Sequence, residues 1–159
     1  LADPGKQDGL DAVDRRIVQE LLADARITNA QLAERVGVAP STALLRTRQL
    51  SERGVVSGFH AELNLPGVGR AVQALISVQL KGHNREEIDR FTSRITTLPE
   101  VVSTFHVSGA VDYLLHLAVA DTDALRDWVL DYLTTDPVVG HTETTLVFNH
   151  IKGNPGLLP

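Results

Sequence analysis

The chain of 159 residues contains no cysteine, which excludes a disulfide scaffold, a cysteine nucleophile and any thiolate metal site. It lacks an apolar run near the ~18 residues of a membrane span and shows no signal-peptide pattern, so a cytoplasmic protein with no membrane partner is expected. Methionine is absent throughout; Leu1 is read as lying past the native start, and residues 1–9 (L-A-D-P-G-K-Q-D-G) as a flexible lead-in. No phosphate-cradling glycine loop and no nucleophile elbow occurs, and an enzyme is not expected. The six histidines stand at 60, 83, 106, 116, 141 and 150, with no pair three or four apart. Zinc needs three or four convergent ligands, so neither a metal nor a cofactor is expected. His106 and His116 could meet only across neighbouring strands; they are read as interface residues that would make subunit contacts pH-sensitive.

A basic excess is missing too. The net charge is −5, which looks wrong for a nucleic-acid binder until it is divided along the chain. Residues 1–60 carry eight basic and eight acidic side chains, whereas residues 61–159 carry seven against twelve. The acidity therefore belongs to the second part. Within residues 40–60, Arg46, Arg48 and Arg53 face only Glu52, and it is local sign that decides whether a face can meet phosphate.

What is present is a hydrophobic share of 43%, enough for ordinary globular cores. Leu10 and Asp11 open a first helix, with Asp11 as N-cap and Val13, Ile17 and Leu21 as an apolar stripe. Thr28-Asn29-Ala30-Gln31 reads as a capping box for a short second helix, with Leu32 and Val36 inward and Gly37 as its stop. Pro40 suits a first helical turn, and a third helix runs from there to Arg53, with Ala43, Leu44 and Leu50 as its apolar positions. Gly54 ends it, and Val55–Ala61 has strand character. Two short helices across a glycine-bearing turn, preceded by a third, match a helix-turn-helix, whose second helix enters the major groove. Pro40, Ser41, Thr42 and Leu45 would then approach base edges, with Arg46 and Arg48 near phosphates or guanines and Arg53 adding to the local positive charge. The zero net charge of this half keeps open a second reading, a module for amino-acid binding or oligomerisation without DNA affinity.

The run D-A-V-D-R-R-I-V-Q-E-L-L-A-D-A-R, then Q-L-A-E-R-V-G-V, then P-S-T-A-L-L-R-T-R-Q-L-S-E-R-G-V-V-S-G-F-H-A-E-L resembles the Lrp/AsnC (feast/famine) family of transcriptional regulators. Asp14, Arg26, Leu32-Ala33, Arg46, Leu50 and Gly54-Val55-Val56-x-Gly58-Phe59 carry the likeness, which continues more loosely to about Lys152. The chain departs from the family at Ala39, where members often place a serine cap, and at Gln49-Leu50-Ser51, where they tend toward Arg-Leu-Glu. The resemblance implies a sequence-specific DNA-binding regulator, with double-stranded DNA as partner and a second domain that forms dimers, often assembled into tetramers or octamers.

Asn64-Leu65-Pro66-Gly67-Val68-Gly69 marks a linker (62–69) between a helix-turn-helix domain (10–61) and a second domain (70–152), with 153–159 as a tail. Alternating Val72, Ala74, Ile76, Val78 and Leu80 predict a strand. Asn84-Arg85-Glu86-Glu87 caps a helix with Ile88, Phe91, Ile95 and Leu98 inward. Strands follow around Val101–Val107 and Tyr113–Val119, then a helix from Thr122 carrying Leu125, Trp128, Val129, Tyr132 and Leu133, and a last strand over Val138–Ile151. The order βαββαβ is ferredoxin-like, making the whole chain α+β: three helices in a winged-helix-like arrangement, then the ferredoxin-like domain. Two helices cover one sheet face. The other, expected to carry Leu75, Val102, Thr104, His106, Leu114 and His116, is too apolar to stay wet, which favours a homodimer.

Family members bind amino acids or related metabolites around the turn between the second and third strands. Carried over, this implies effector contacts at Val107, Ser108, Gly109, Asp112 and Tyr113, with Thr142 and Thr144 in support. Asp112 would pair with an ammonium while turn amides receive a carboxylate.

Overall fold

Each helix of the first sixty residues begins where a side chain or a proline settles its open amides. The computed structural model describes residues 9–82, 84–151 and 153, so the lead-in other than Gly9, His83 and most of the tail lie outside the described residues. Asp11 accepts the Asp14 amide at 2.8 Å and starts α1 (Ala12–Ala23). Thr28 and Gln31 complete a reciprocal capping box at α2 (Asn29–Val36), which ends on Gly37 at φ +80°. Pro40 is the first residue of α3 (Pro40–Glu52), whose N-cap Ala39 offers no side-chain bond. Ile17, Leu32, Val36 and Leu50 form the centre of this core, with Leu10, Val13, Leu21 and Val56 packed around it.

Two expectations here are corrected. Of the apolar positions Ala43, Leu44 and Leu50, the first and last are fully buried, but Leu44 is 61% exposed. Val55–Ala61 forms no strand. Instead the Val55 and Val56 amides turn back to the Leu50 carbonyl at 2.9 and 3.2 Å, so the segment closes the helix end.

Residues Leu63–Lys152 make a separate compact unit. Its strands are β1 (Val72–Leu80), β2 (Val101–His106), β3 (Tyr113–Val119) and β4 (Val139–Val147), with α4 (Arg85–Ile95) between β1 and β2 and α5 (Thr122–Val129) after β3. The strands lie in the order β2-β3-β1-β4, antiparallel at every pairing, the arrangement of a ferredoxin-like βαββαβ domain. Asn84 caps α4 through the Glu86 amide and Asp121, one residue before the expected start, caps α5 through that of Ala124. A π-helical turn over Leu130–Thr134 prolongs α5 and keeps Leu133 fully buried. Phe91 and Ile95 of α4, with Leu125 and Trp128 of α5, pack on Ala74, Ile76, Val78, Leu115 and Leu117 on one face of the sheet.

The open face differs from expectation along β2. Val101 lies opposite Leu117, but the register then shifts, and Ser103 lies opposite His116, Thr104 opposite Leu115, Phe105 opposite Leu114 and His106 opposite Tyr113. Opposed residues share a face. The irregularity at Val102 therefore sends Thr104 and His106 to the helix-covered side and Phe105 to the open one, because one extra residue inverts everything beyond it. The apolar side chains of the open face are Leu75, Leu114 and Phe105, which share it with Ser77, Ser103, His116, Glu143 and Thr145, and with Val147 opposite Gln73 at its margin.

Candidate DNA-reading and effector sites

α3 is anchored by polar contacts at both ends. Asn29 Nδ2 donates to the Pro40 carbonyl at 2.8 Å, fixing the turn between α2 and α3. Further along, Arg46 Nη1 donates to Asp14 Oδ1 at 2.9 Å and also to Asp11, while Arg53 Nη1 lies 3.6 Å from Asp14 Oδ2. Asp14 is only 7% exposed. A buried carboxylate needs such partners, since its desolvation is otherwise uncompensated. The Asp11 carboxyl is held below the usual range, chiefly by the Asp14 amide and then by Arg46, and the Arg46 guanidinium is correspondingly raised.

The expected DNA-facing residues therefore separate. Pro40, Ser41, Leu45 and Arg48 are exposed and Thr42 is half-buried. Arg48 Nε meets Glu52 at 2.8 Å one turn on, both side chains in solvent, where such a pair contributes little and yields readily to phosphate. Arg46 and Arg53 are instead engaged in tying α3 to α1. The sequence held a sign of this. Asp14 falls on the stripe Leu10–Ile17–Leu21, and an acid on a buried stripe demands a cation.

In the second unit, Val107 N donates to the Asp112 carbonyl and Asp112 N to the Val78 carbonyl, both at 2.9 Å. Gly109, at φ +127°, takes a conformation that side chains disfavour. Asp112 Oδ2 accepts the Leu80 amide at 2.7 Å, so this carboxylate also binds the turn to the end of β1. Ser108 and Gly109 are exposed, whereas Val107 and Asp112 are partly covered. Tyr113 points toward the helices: it is 1% exposed, its hydroxyl is 2.7 Å from Thr92 Oγ1, and His106 stacks on its ring at 4.8 Å. His106, Tyr113, Val78 and Thr142 form one transverse row, which brings Thr142 to the turn's end of the sheet on the helix-covered side; Thr144 lies opposite Ile76, one step further on.

On the open face His116 is 8% exposed, with Nε2 2.9 Å from Gln73 Oε1 and the His150 ring edge-on at 5.7 Å. Burial, and then His150, lower its pKa below the ordinary imidazole value. His106 and His116 thus stand on opposite faces. A cleft of about 310 Å³ between α4 and residues 135–138 is lined by Glu87, Arg90, Phe91, Arg94 and Asp136, none of them an expected effector residue; Arg94 already bridges Asp136 and the Tyr132 carbonyl. Among the described residues no three His, Cys, Asp or Glu side chains converge as a metal site, and no helix is long and apolar enough to cross a membrane.

Residues 10–57 match a winged helix-turn-helix DNA-binding family model, and residues 73–157 match the model of the Lrp/AsnC ligand binding domain. The chain is 44% identical over 144 residues to the HTH-type transcriptional regulator AldR of Mycolicibacterium smegmatis, covering 91% of this chain and 84% of that protein. It is 36% identical over 143 residues to the leucine-responsive regulatory protein of Rhizobium meliloti, covering 90% and 92%. A transcriptional regulator from Neisseria meningitidis, solved as a complex with L-Met, superimposes with a TM-score of 0.86 at 34% identity, covering 94% of this chain and 96% of that one. A DNA-binding helix-turn-helix followed by a ligand-binding ferredoxin-like domain is the architecture of these regulators, and the chain belongs to the Lrp/AsnC family of transcriptional regulators.

Proposed function

We propose that this cytoplasmic regulator, working through residues 10–61, reads DNA with the exposed side of α3, and that residues 70–152 pair subunits and sense an amino acid or a closely related metabolite. The observation that carries the DNA reading is the division of labour along α3. Ser41, Leu45 and Arg48 face solvent, while the ion pairs of Arg46 and Arg53 hold the helix against α1. A helix fixed in this way presents its first two turns to the major groove without further rearrangement.

The effector site is centred on the turn Val107–Tyr113, with Thr142 and Thr144 nearby. The amides of the exposed residues Ser108 and Gly109 are the candidates for a carboxylate, and Asp112 supplies a negative charge for an ammonium. Tyr113 holds the turn from beneath. The L-Met complex of the Neisseria meningitidis relative supports an amino acid as the chemical class. Pairing through the open sheet face would bury Leu75, Leu114 and Phe105 and join two helix-turn-helix units in one molecule, as reading two half-sites about one DNA turn (roughly 34 Å) apart requires; tetramers or octamers would repeat that unit.

A salt titration of binding to the DNA beside the chain's own gene tests the first reading. Affinity should fall with salt on a log–log slope of about −0.9 for each phosphate neutralised, and a flat response would reject it. Thermal-shift measurements against the twenty amino acids test the second, with stabilisation by one or a few of them expected.

A further inference from the structure

The solvent side of α3 is apolar where base edges would lie. Leu44 and Leu45 are 61% and 56% exposed on neighbouring positions of the helix. They cannot turn inward, because Ala43 and Leu50 already occupy the core side with no exposure at all. Fully burying one such side chain contributes about 1.5–3 kcal/mol, so two side by side in water form a surface that gains from being covered.

The chemistry around them narrows what covers it. The commonest direct reading of guanine uses an arginine or lysine fork on O6 and N7. Around the leucines the exposed residues are Ser41, Arg48 and Gln49, and Arg46 is engaged with Asp11 and Asp14. Arg48 is one turn further on, toward Glu52. No cation therefore stands at the first turn and a half of the helix. The apolar feature of a B-DNA major groove is the thymine C5-methyl group, which aliphatic side chains contact directly.

We propose that Leu45, with Leu44 beside it, selects thymine by packing on its C5-methyl, so that each half-site carries A·T pairs beneath the N-terminal half of α3. Arg48 then sits over the flank of that tract, on a phosphate or a guanine. This rests on the reading that α3 enters the major groove.

The test uses the full chain and a duplex enriched from a random pool. Each thymine of one half-site is replaced in turn by deoxyuridine, which keeps base pairing and removes only the methyl. Affinity is followed by fluorescence anisotropy. At one or two positions per half-site the wild type should weaken about fourfold, the equivalent of one buried methylene, and Leu45→Ala should bind the thymine and uracil duplexes alike. Because Leu45 is on the surface, the variant's melting temperature should match the wild type's. Uniform wild-type affinity for every uracil duplex would overturn the proposal, as would a Leu45→Ala protein that keeps the same thymine-to-uracil ratio. If the leucines instead serve contacts between copies, Leu45→Ala changes the mass in solution and leaves that ratio intact, which also overturns it. Failure to bind any duplex would reject the DNA-reading role of α3 itself, a result separate from indifference to the methyl.

Discussion

Arg46 and Arg48 stand two residues apart on α3 and face different chemistry. Arg46 is held by Asp14, itself 7% exposed, whereas Arg48 meets an exposed Glu52. Arg48→Ala should reduce the magnitude of the salt slope of DNA binding by about 1, as expected for one lost phosphate contact. Arg46→Ala should leave that slope unchanged while lowering the denaturation midpoint of the helical unit, because the buried Asp14 is left short of a charged partner. Denaturant melts and anisotropy on both variants separate the two roles. Asp112 has a double task in the same sense. Asp112→Asn keeps an oxygen for the Leu80 amide and removes only the charge. The expected outcome is a ligand-free melting temperature near that of the wild type, with the amino-acid-induced shift lost. His116 sets a pH dependence. Its folded pKa lies below the ordinary imidazole value of about 6.5 because of burial and His150, so the unfolded chain takes up a proton that the folded one refuses. Stability is then greatest above pH 6.5 and declines as pH falls through that value toward the folded pKa. Melting temperatures between about pH 7.5 and 5.5 should fall more steeply for the wild type than for His116→Gln.

The element most open to improvement is α3, since Ala39 has the extended backbone of an N-cap, at φ −66° and ψ 147°, and no side-chain bond to give. Ala39→Ser should stabilise the first unit by about 1 kcal/mol, read as a higher denaturation midpoint with an unchanged slope. Local signals of this kind were legible in the sequence. Thr28 and Gln31 announced their capping box, Gly37 its left-handed stop, and the alternation from Val72 to Leu80 a strand with one buried side. What escaped was set by partners remote in the chain. The facing of β2 depended on an irregularity at Val102 that alternation alone cannot reveal. Ala43, Leu44 and Leu50 are alike apolar in the sequence, yet Leu44 alone of the three lies in solvent. At the effector turn the spacing of Ser108, Gly109 and Asp112 was visible. The bond from Leu80 to Asp112 spans 32 residues and follows from the sheet order rather than from any motif.

For the whole molecule, the proposed pairing of subunits rests on the open sheet face. Leu75 and Leu114 are partly covered and Phe105 is 52% exposed. Leu114→Glu should place a charge at the middle of that face and yield monomers by sedimentation velocity. Binding to a two-half-site duplex should fall well below that of the wild type, because the second contact is no longer tethered. The split of charge described at the outset, balanced over residues 1–60 and acidic beyond, has a consequence for where the protein spends its time. Attraction to arbitrary DNA is almost wholly electrostatic and supplied by basic surface, and residues 1–60 as a whole carry no surplus of it beyond the local excess of residues 40–60. On the proposed DNA-reading role, the expected outcome is a weak affinity for a scrambled duplex beside that for an enriched one, measured by anisotropy at one fixed salt concentration, so that few copies would be held on arbitrary sequence.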